Sequence, residues 1–376
     1  MCLFGFVVIH RKSTIMKKTN LTTLLALLCV AAIGFEARSQ SITLPRTPSP
    51  ASTLTQTIGI STVSVNYSRP SVKGRKIWGE LVPFGWNDPG NGIGPAPWRA
   101  GANENTVLEL SSDATIEGKK VPAGKYGFFL VINEDNSGEV VLSKDFRSWG
   151  HFRYNAAQDQ MRAPIKIRDH EFTESITYDF VNLTKNSTEL VLNWEKKQFP
   201  VKIEFDVDAI VMANATQEIM GVKGFSWQAY ASAAGYAATN KVNLEQAAKW
   251  AEQGVTINPS FQTIQTKANV LRLTGKAAEA DKLMKDAVAI GNENDINNYG
   301  YALMNQGQHD KAIEVFTLNT TKFPASANAF DSLGEGYVGK GDNKNAIKSF
   351  KKALTLNPPV ATKANSEKFL KQLGAL

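Results

Sequence analysis

The sequence is poor in the residues that cross-link chains and hold metals: 376 residues carry only two cysteines and four histidines. Both cysteines, Cys2 and Cys29, fall in an N-terminal leader, so a processed chain has no thiol. Disulfide staples, thiolate–metal ligation and cysteine nucleophiles are thereby excluded, and the core must be large enough by itself. The histidines beyond the leader, His151, His170 and His309, occupy three separate contexts without ligand spacing, so neither a metal nor a cofactor is expected. His309, on a repeat turn, reads as a solvated surface residue.

Catalytic signatures are also missing. The chain shows no Gly-x-Ser-x-Gly elbow, no His-Glu-x-x-His and no phosphate-cradling Gly-x4-Gly-Lys-Ser/Thr. The "GNGIG" at Gly90 to Gly94 lies among prolines without a strand-to-helix transition, which fits a flexible loop. Charge of one sign is lacking too. Part of the formal +7 comes from Arg11, Lys12, Lys17, Lys18 and Arg38 in the leader, against Glu36 alone. The remainder is too balanced for a nucleic-acid surface. The apolar run from Leu24 to Ile33 is shorter than the ~20 residues of a spanning helix, so no transmembrane anchor is expected in the mature chain.

That run belongs instead to "MKKTNLTTLLALLCVAAIGFEARSQ", which has the charged, apolar and small-residue parts of a secretory signal. Residues 1–39 are read as leader, with the true start at Met16, cleavage after Ser39 and Ala37 at the −3 position. The expected destination is the periplasm or the exterior.

A Pro-rich segment at 40–51 leads into residues 52–207, which read as short strands and turns. "VSVNY", "TVLEL", "KYGFFLVI", "EVVLS", "APIKIR", "SITYDFVN", "ELVLNW" and "FPVKIEFDV" follow one another without helical periods. This pattern predicts an antiparallel β-sandwich, jelly-roll or Ig-like. Two hairpins are expected, one around "NEDNSG" and one around "EKKQ". Phe128, Phe129, Trp194 and Phe205 are candidate core.

Near residue 208 the period becomes helical. Ile296, Tyr299, Gly300, Leu303, Gly307, Ala312, Phe316 and Pro324 recur 34 residues later as Phe330, Leu333, Gly334, Tyr337, Gly341, Ala346, Phe350 and Pro358. The period and the small, aromatic and proline positions resemble the tetratricopeptide repeat, which implies an α-solenoid over 208–376 that holds a protein or peptide in its groove. Two weaker copies precede the clear ones. The final "ATKANSEKFLKQLGAL" reads as a capping helix with Phe369 and Leu373 inward.

In the β-rich half, "YSRPSVKGRKIWGELVPFG", "WRAGANENT" and "IEGKKVPAGKYGFF" occur in order over roughly residues 50–205. Together they resemble a bacterial family defined only as domain of unknown function 2911. The resemblance implies an architecture and a motif, and no reaction. The long "WNDPGNGIGPAP" between Gly85 and Trp98 departs from the family pattern.

Two motif blocks concentrate polar chemistry. The first holds Arg69, Lys73, Arg75 and Lys76, the second Trp98, Arg99, Asn103, Glu104 and Asn105. Arginine forks, an asparagine amide and a tryptophan face suit a glycan or an anionic small molecule, with Lys73, Arg75, Trp98, Arg99, Asn103 and Glu104 as ligand-binding candidates. The same residues also suit turn formation and core capping. For catalysis the candidates are Glu104 and His151. The leading expectation is an exported, non-enzymatic binding protein. The alternative is a hydrolase of envelope glycans with Glu104 as acid or base, for which the motif supplies one carboxylate where two are ordinarily needed.

Overall fold

Strict alternation of burial builds the first half. The computed structural model describes residues 48–376 apart from Pro89 and Asn91, so the expected leader, its expected cleavage site and most of the Pro-rich segment lie outside the described residues. β1 (Ala51–Ile58) and β2 (Ser61–Ser68) pair antiparallel around Gly59 and Ile60. β3 (Thr106–Leu110), β6 (Gly124–Ile132), β7 (Ser137–Ser143) and β8 (Asp159–Lys166) complete a six-stranded sheet in the order β1-β2-β3-β6-β7-β8. β4 (Ala114–Ile116), β5 (Lys119–Val121), β9 (Arg168–Val181) and β10 (Ser187–Glu204) form a second sheet, β5-β4-β10-β9.

The two sheets close over one apolar layer. Leu108, Phe128, Leu130 and Leu142 come from the first sheet and Ile116, Leu190, Leu192, Trp194, Val201 and Ile203 from the second, all buried. Phe128, Phe129, Trp194 and Phe205 are all buried, as the pattern predicts. β6 is buried on both faces from Tyr126 onward, because Ala96, Trp86 and Tyr154 cover Phe129 and Val141 on the outer side. The candidate site is built in the segments that supply this outer cover.

One expected hairpin is present and the other is not. β6 and β7 turn at "NEDNSG", where Asp135 accepts from the Ser137 N–H at 2.9 Å. Around "EKKQ" the chain does not reverse. β10 runs straight through those residues and stays paired with β9 as far as Gln198 opposite Arg168. The reason is a bulge: Glu195 takes φ 51°, and register shifts on either side of it absorb the extra residues. Polar residues at a bulge mimic a turn in sequence, but only a reversal of direction would make one.

Ten helices follow. α1 (Val207–Met220) leaves the sheet, and α2 (Trp227–Asn240) with α3 (Leu244–Ile257) makes the first helical hairpin. The next are α4 (Phe261–Leu273) with α5 (Ala277–Ile290), α6 (Glu293–Asn305) with α7 (His309–Lys322), and α8 (Ala327–Lys340) with α9 (Asn343–Leu354). α10 (Val360–Gln372) ends the array.

The repeated glycines explain the pairing. A Cβ on Gly300 would lie 2.4 Å from Phe316, and one on Gly334 would lie 2.6 Å from Phe350. Only glycine lets the aromatic ring of the second helix reach the backbone of the first. α10 seals the last hairpin by stacking Phe369 on Phe350 at 5.1 Å and burying Leu370. His309 is not a solvated surface residue: it is half-buried, and a Cβ on Gly339 would sit 2.9 Å from its Nδ1.

The β core continues into the solenoid. Val207, the first residue of α1, is buried in the inter-sheet cluster, with Ile210 and Val211 packed beside it. Its methyl groups fill the space over Gly59, where a Cβ would come within 2.5 Å.

Candidate functional site

Trp98 and Arg99 diverge because neighbouring residues of an extended segment face opposite ways. Trp98 is tied to β6 by exchange of hydrogen bonds with Leu130, 2.9 and 2.8 Å. Its ring points between the sheets, stacked on Trp194 at 5.7 Å and met edge-on by Trp78 at 5.9 Å. It serves the aromatic core there. Arg99 points outward, toward the segment that crosses over from β7 to β8.

The turn after Arg99 is fixed from both sides. Ala100 and Asn103 adopt φ of 48° and 63°. The Ala100 carbonyl accepts from the Tyr178 hydroxyl at 2.8 Å and from Thr106 Oγ1 at 3.2 Å. The Arg99 guanidinium closes the turn by donating to the Asn103 carbonyl. Asn105, buried behind it, donates to Ser148 Oγ at 3.0 Å and to the Asp145 carbonyl at 3.3 Å. The WRAGANENT block is thereby bolted to residues 145–148.

On the other side lies "DFRSWGHFRY", residues 145–154. Asp145 caps the turn by accepting from the Ser148 N–H at 3.2 Å, and a short 3-10 helix spans Gly150–Arg153. Gly150 takes φ 60°, and a Cβ there would fall 2.2 Å from Arg99 Cζ, so the guanidinium lies directly on this backbone. Phe152 presents its ring to the same group at 5.4 Å. His151 stands beside Phe152, ring centroids 4.4 Å apart. Burial lowers the pKa of Arg99. Burial first, and the Arg99 charge second, lower that of His151, so its imidazole is neutral at pH 7.

The result is a half-buried guanidinium and a neutral imidazole flanked by Trp149 and Phe152, which are 47% and 48% exposed. Arginine supplies planar donors for carboxylate or phosphate, the imidazole a donor or acceptor, and the rings flat apolar faces. Asn103 belongs to this cluster through its carbonyl, and Glu104 is an exposed neighbour on the same turn.

The first motif block is committed elsewhere. Arg75 donates to the carbonyls of Val72, at 3.0 Å, and Ser71. Lys73, at φ 49°, gives its N–H to Glu174 of β9 at 2.9 Å. Arg69 reaches the Ile176 carbonyl at 2.9 Å and Thr177 Oγ1 at 3.0 Å. The Arg69 and Lys73 bonds fasten the chain leaving β2 onto β9, and those of Arg75 brace its own loop. Among the sequence-derived candidates, then, Arg99, Asn103 and His151 come together with Glu104 alongside. Lys73 is tied to β9 through its N–H, Arg75 closes on its own loop, and Trp98 packs against the core.

Trp149, Phe152 and Asn105 are not among the binding or catalytic candidates that the sequence nominates, although Asn105 lies in the second motif block and Trp149 beside His151. A signal existed: a ten-residue loop segment with four aromatics, two arginines and a histidine is unusually rich for a connection. Among the described residues, no group of three or more His, Cys, Asp or Glu side chains is placed to hold a metal ion. Likewise no described helix is long and apolar enough to cross a membrane.

The architecture defines a class: an antiparallel two-sheet domain joined to a tetratricopeptide-type α-solenoid. Residues 49–203 match the family described as "Protein of unknown function (DUF2911)", and residues 296–318 and 327–359 match the tetratricopeptide repeat. Among solved structures, the chain is similar to YrrB, described as a TPR protein with an unusual peptide-binding site. That match has 19% identity, 42% of this chain, 81% of that one and a TM-score of 0.28. It is also similar to PilF of Pseudomonas aeruginosa, at 23% identity over 39% of this chain and 68% of that one, TM-score 0.27. A third likeness is MamA of Desulfovibrio magneticus, at 17% identity over 42% and 88%, TM-score 0.28. Comparison with curated proteins gives no match.

Proposed function

We propose that this is an exported, non-enzymatic binding protein whose β domain takes a glycan or anionic small molecule and whose solenoid holds a protein or peptide. The observation that carries the first part is Arg99, half-buried on the Gly150 backbone between a neutral His151 and the exposed rings of Trp149 and Phe152. Such a cation is held in place before a ligand arrives, so less freedom is lost on binding. The helical repeats support the second part, since stacked hairpins create extended surfaces for peptides.

Calorimetric titration of the full chain with uronate-containing, sialylated and phosphorylated sugars tests the β-domain reading. A binding member of the panel should lose roughly tenfold or more in affinity with Arg99→Gln and with Trp149→Ala. Trp149 is exposed enough that its truncation spares the fold. Arg75→Ala should leave affinity unchanged. A panel without any binder rejects the proposal, as does turnover of a glycan that Glu104→Gln abolishes. Export is checked by N-terminal sequencing, which should find a chain beginning at Gln40 outside the cytoplasm; an unprocessed cytoplasmic chain would overturn it.

A further inference from the structure

Asn297, Asp331 and Asn365 stand 34 residues apart, so they occupy the same turn of α6, α8 and α10, the first helices of successive repeats and the cap. One helical turn later come Tyr301 and Glu335, again 34 apart. The rungs touch. The Tyr301 hydroxyl donates to Ser332 Oγ at 3.0 Å. The Asn365 amide donates to Asp331 at 2.8 Å and to Glu335 at 2.7 Å, and the Ser366 hydroxyl donates to Asp331.

Two carboxylates therefore share one amide in a poorly solvated place, and Asp331 is 4% exposed. Burial raises the pKa of both. Among the described residues no ion pair reaches either. The cation that acts on Glu335 is Lys368, the weakest of its influences, and that ammonium lies over the Phe369 ring at 5.6 Å. Every hydrogen-bond donor to the pair is neutral. On the same face, the Asn297 carbonyl oxygen is buried without a donor. Asn297 itself is 9% exposed and sits one turn before Tyr301.

We propose that this face of α6, α8 and α10 receives a lysine or arginine side chain of a partner peptide. The inference rests on the peptide-holding reading of the solenoid and adds the chemistry of the partner. The cluster offers a surplus of acceptors, and lysine and arginine are the two side chains that carry donors only. Glu335, the less buried carboxylate, meets the incoming charge. Asp331 adds a second negative charge behind it, and the buried, unpaired side-chain oxygen of Asn297 stands at the equivalent position one repeat earlier in the array. Desolvated like charges without a cation are costly, and an incoming cation relieves that cost.

The test uses the full chain and three pools of fluorescent nonapeptides, identical except for a central lysine, acetyl-lysine or glutamate. Anisotropy should show the lysine pool binding roughly tenfold tighter than the others, with the difference lost in Asp331→Asn/Glu335→Gln. Far-UV circular dichroism verifies that the double variant folds, and Glu335→Gln alone, at the less buried position, should already weaken the lysine pool. Equal binding of lysine and acetyl-lysine pools, or a lysine preference that survives in the variants, overturns cation recognition while leaving peptide binding in place. Failure of all three pools to bind overturns both readings.

Discussion

Gly150 and Arg99 show how one missing side chain can define a site. The guanidinium occupies the volume that a Cβ at 150 would need, and its charge then acts on the next residue, His151. Because burial and Arg99 both disfavour the imidazolium, His151 binds its proton less readily in the folded chain than in the unfolded one. Its contribution to stability is complete above the ordinary histidine pKa and is lost as pH falls through the lowered one. Proton titration by NMR should place His151 below the ordinary histidine range, and Arg99→Gln should move it up. An unchanged midpoint in that variant would mean that the two groups do not interact. The motif containing Arg99 was legible in the sequence, as was His151. Their meeting was not, because it depends on a backbone contact at Gly150 that residue types do not encode.

At the scale of elements, close approach is set by glycine and direction by bulges. Gly300→Ala places a Cβ 2.4 Å from Phe316, so α6 and α7 must separate or the ring must leave its rotamer. Overpacking of this kind costs about 1–3 kcal/mol, and a urea melt should show the loss. Relief by Phe316→Leu in the same chain would identify the collision as the cause, whereas full stability of Gly300→Ala alone would contradict it. The 34-residue period made these helices predictable, since the same small and aromatic positions recur. β10 was harder to read. Its "EKKQ" carries the polarity of a turn, and the choice between reversal and bulge was made by β9, which continues to pair beyond Glu195. β1 is hard to read in the sequence for a related reason: its outward face is polar and only Ile58 is fully buried, so the strand exists through its ladder to β2.

Over the whole molecule, the two halves are joined by both packing and charge. Val207 is buried in the β core, while Lys185 from the β9–β10 turn reaches Asp208 at 2.9 Å and Asn240 at 2.8 Å. Asp208 also accepts from the Tyr236 hydroxyl at 2.6 Å. Burial, then that bond and charge, push the Tyr236 pKa up to about 12. Ultraviolet titration should detect a tyrosine of this kind, and Asp208→Ala should return it toward 10; a Tyr236 unmoved by the change would remove the junction as described. The raised pKa makes the bond a source of stability that persists at neutral pH and fades as pH climbs through the folded value. What the sequence alone determined was periodic: strand alternation, a 34-residue helical repeat, and motif blocks at fixed spacing, all of them local or repeated signals. What only the tertiary structure decided was convergence: Arg99 on Gly150, Lys73 onto β9, Trp98 against the core, Asp331 beside Glu335 and Asn365. Those outcomes follow from which elements pack together and from where each backbone points its neighbouring side chains, and such long-range contacts leave no regular trace along a single chain.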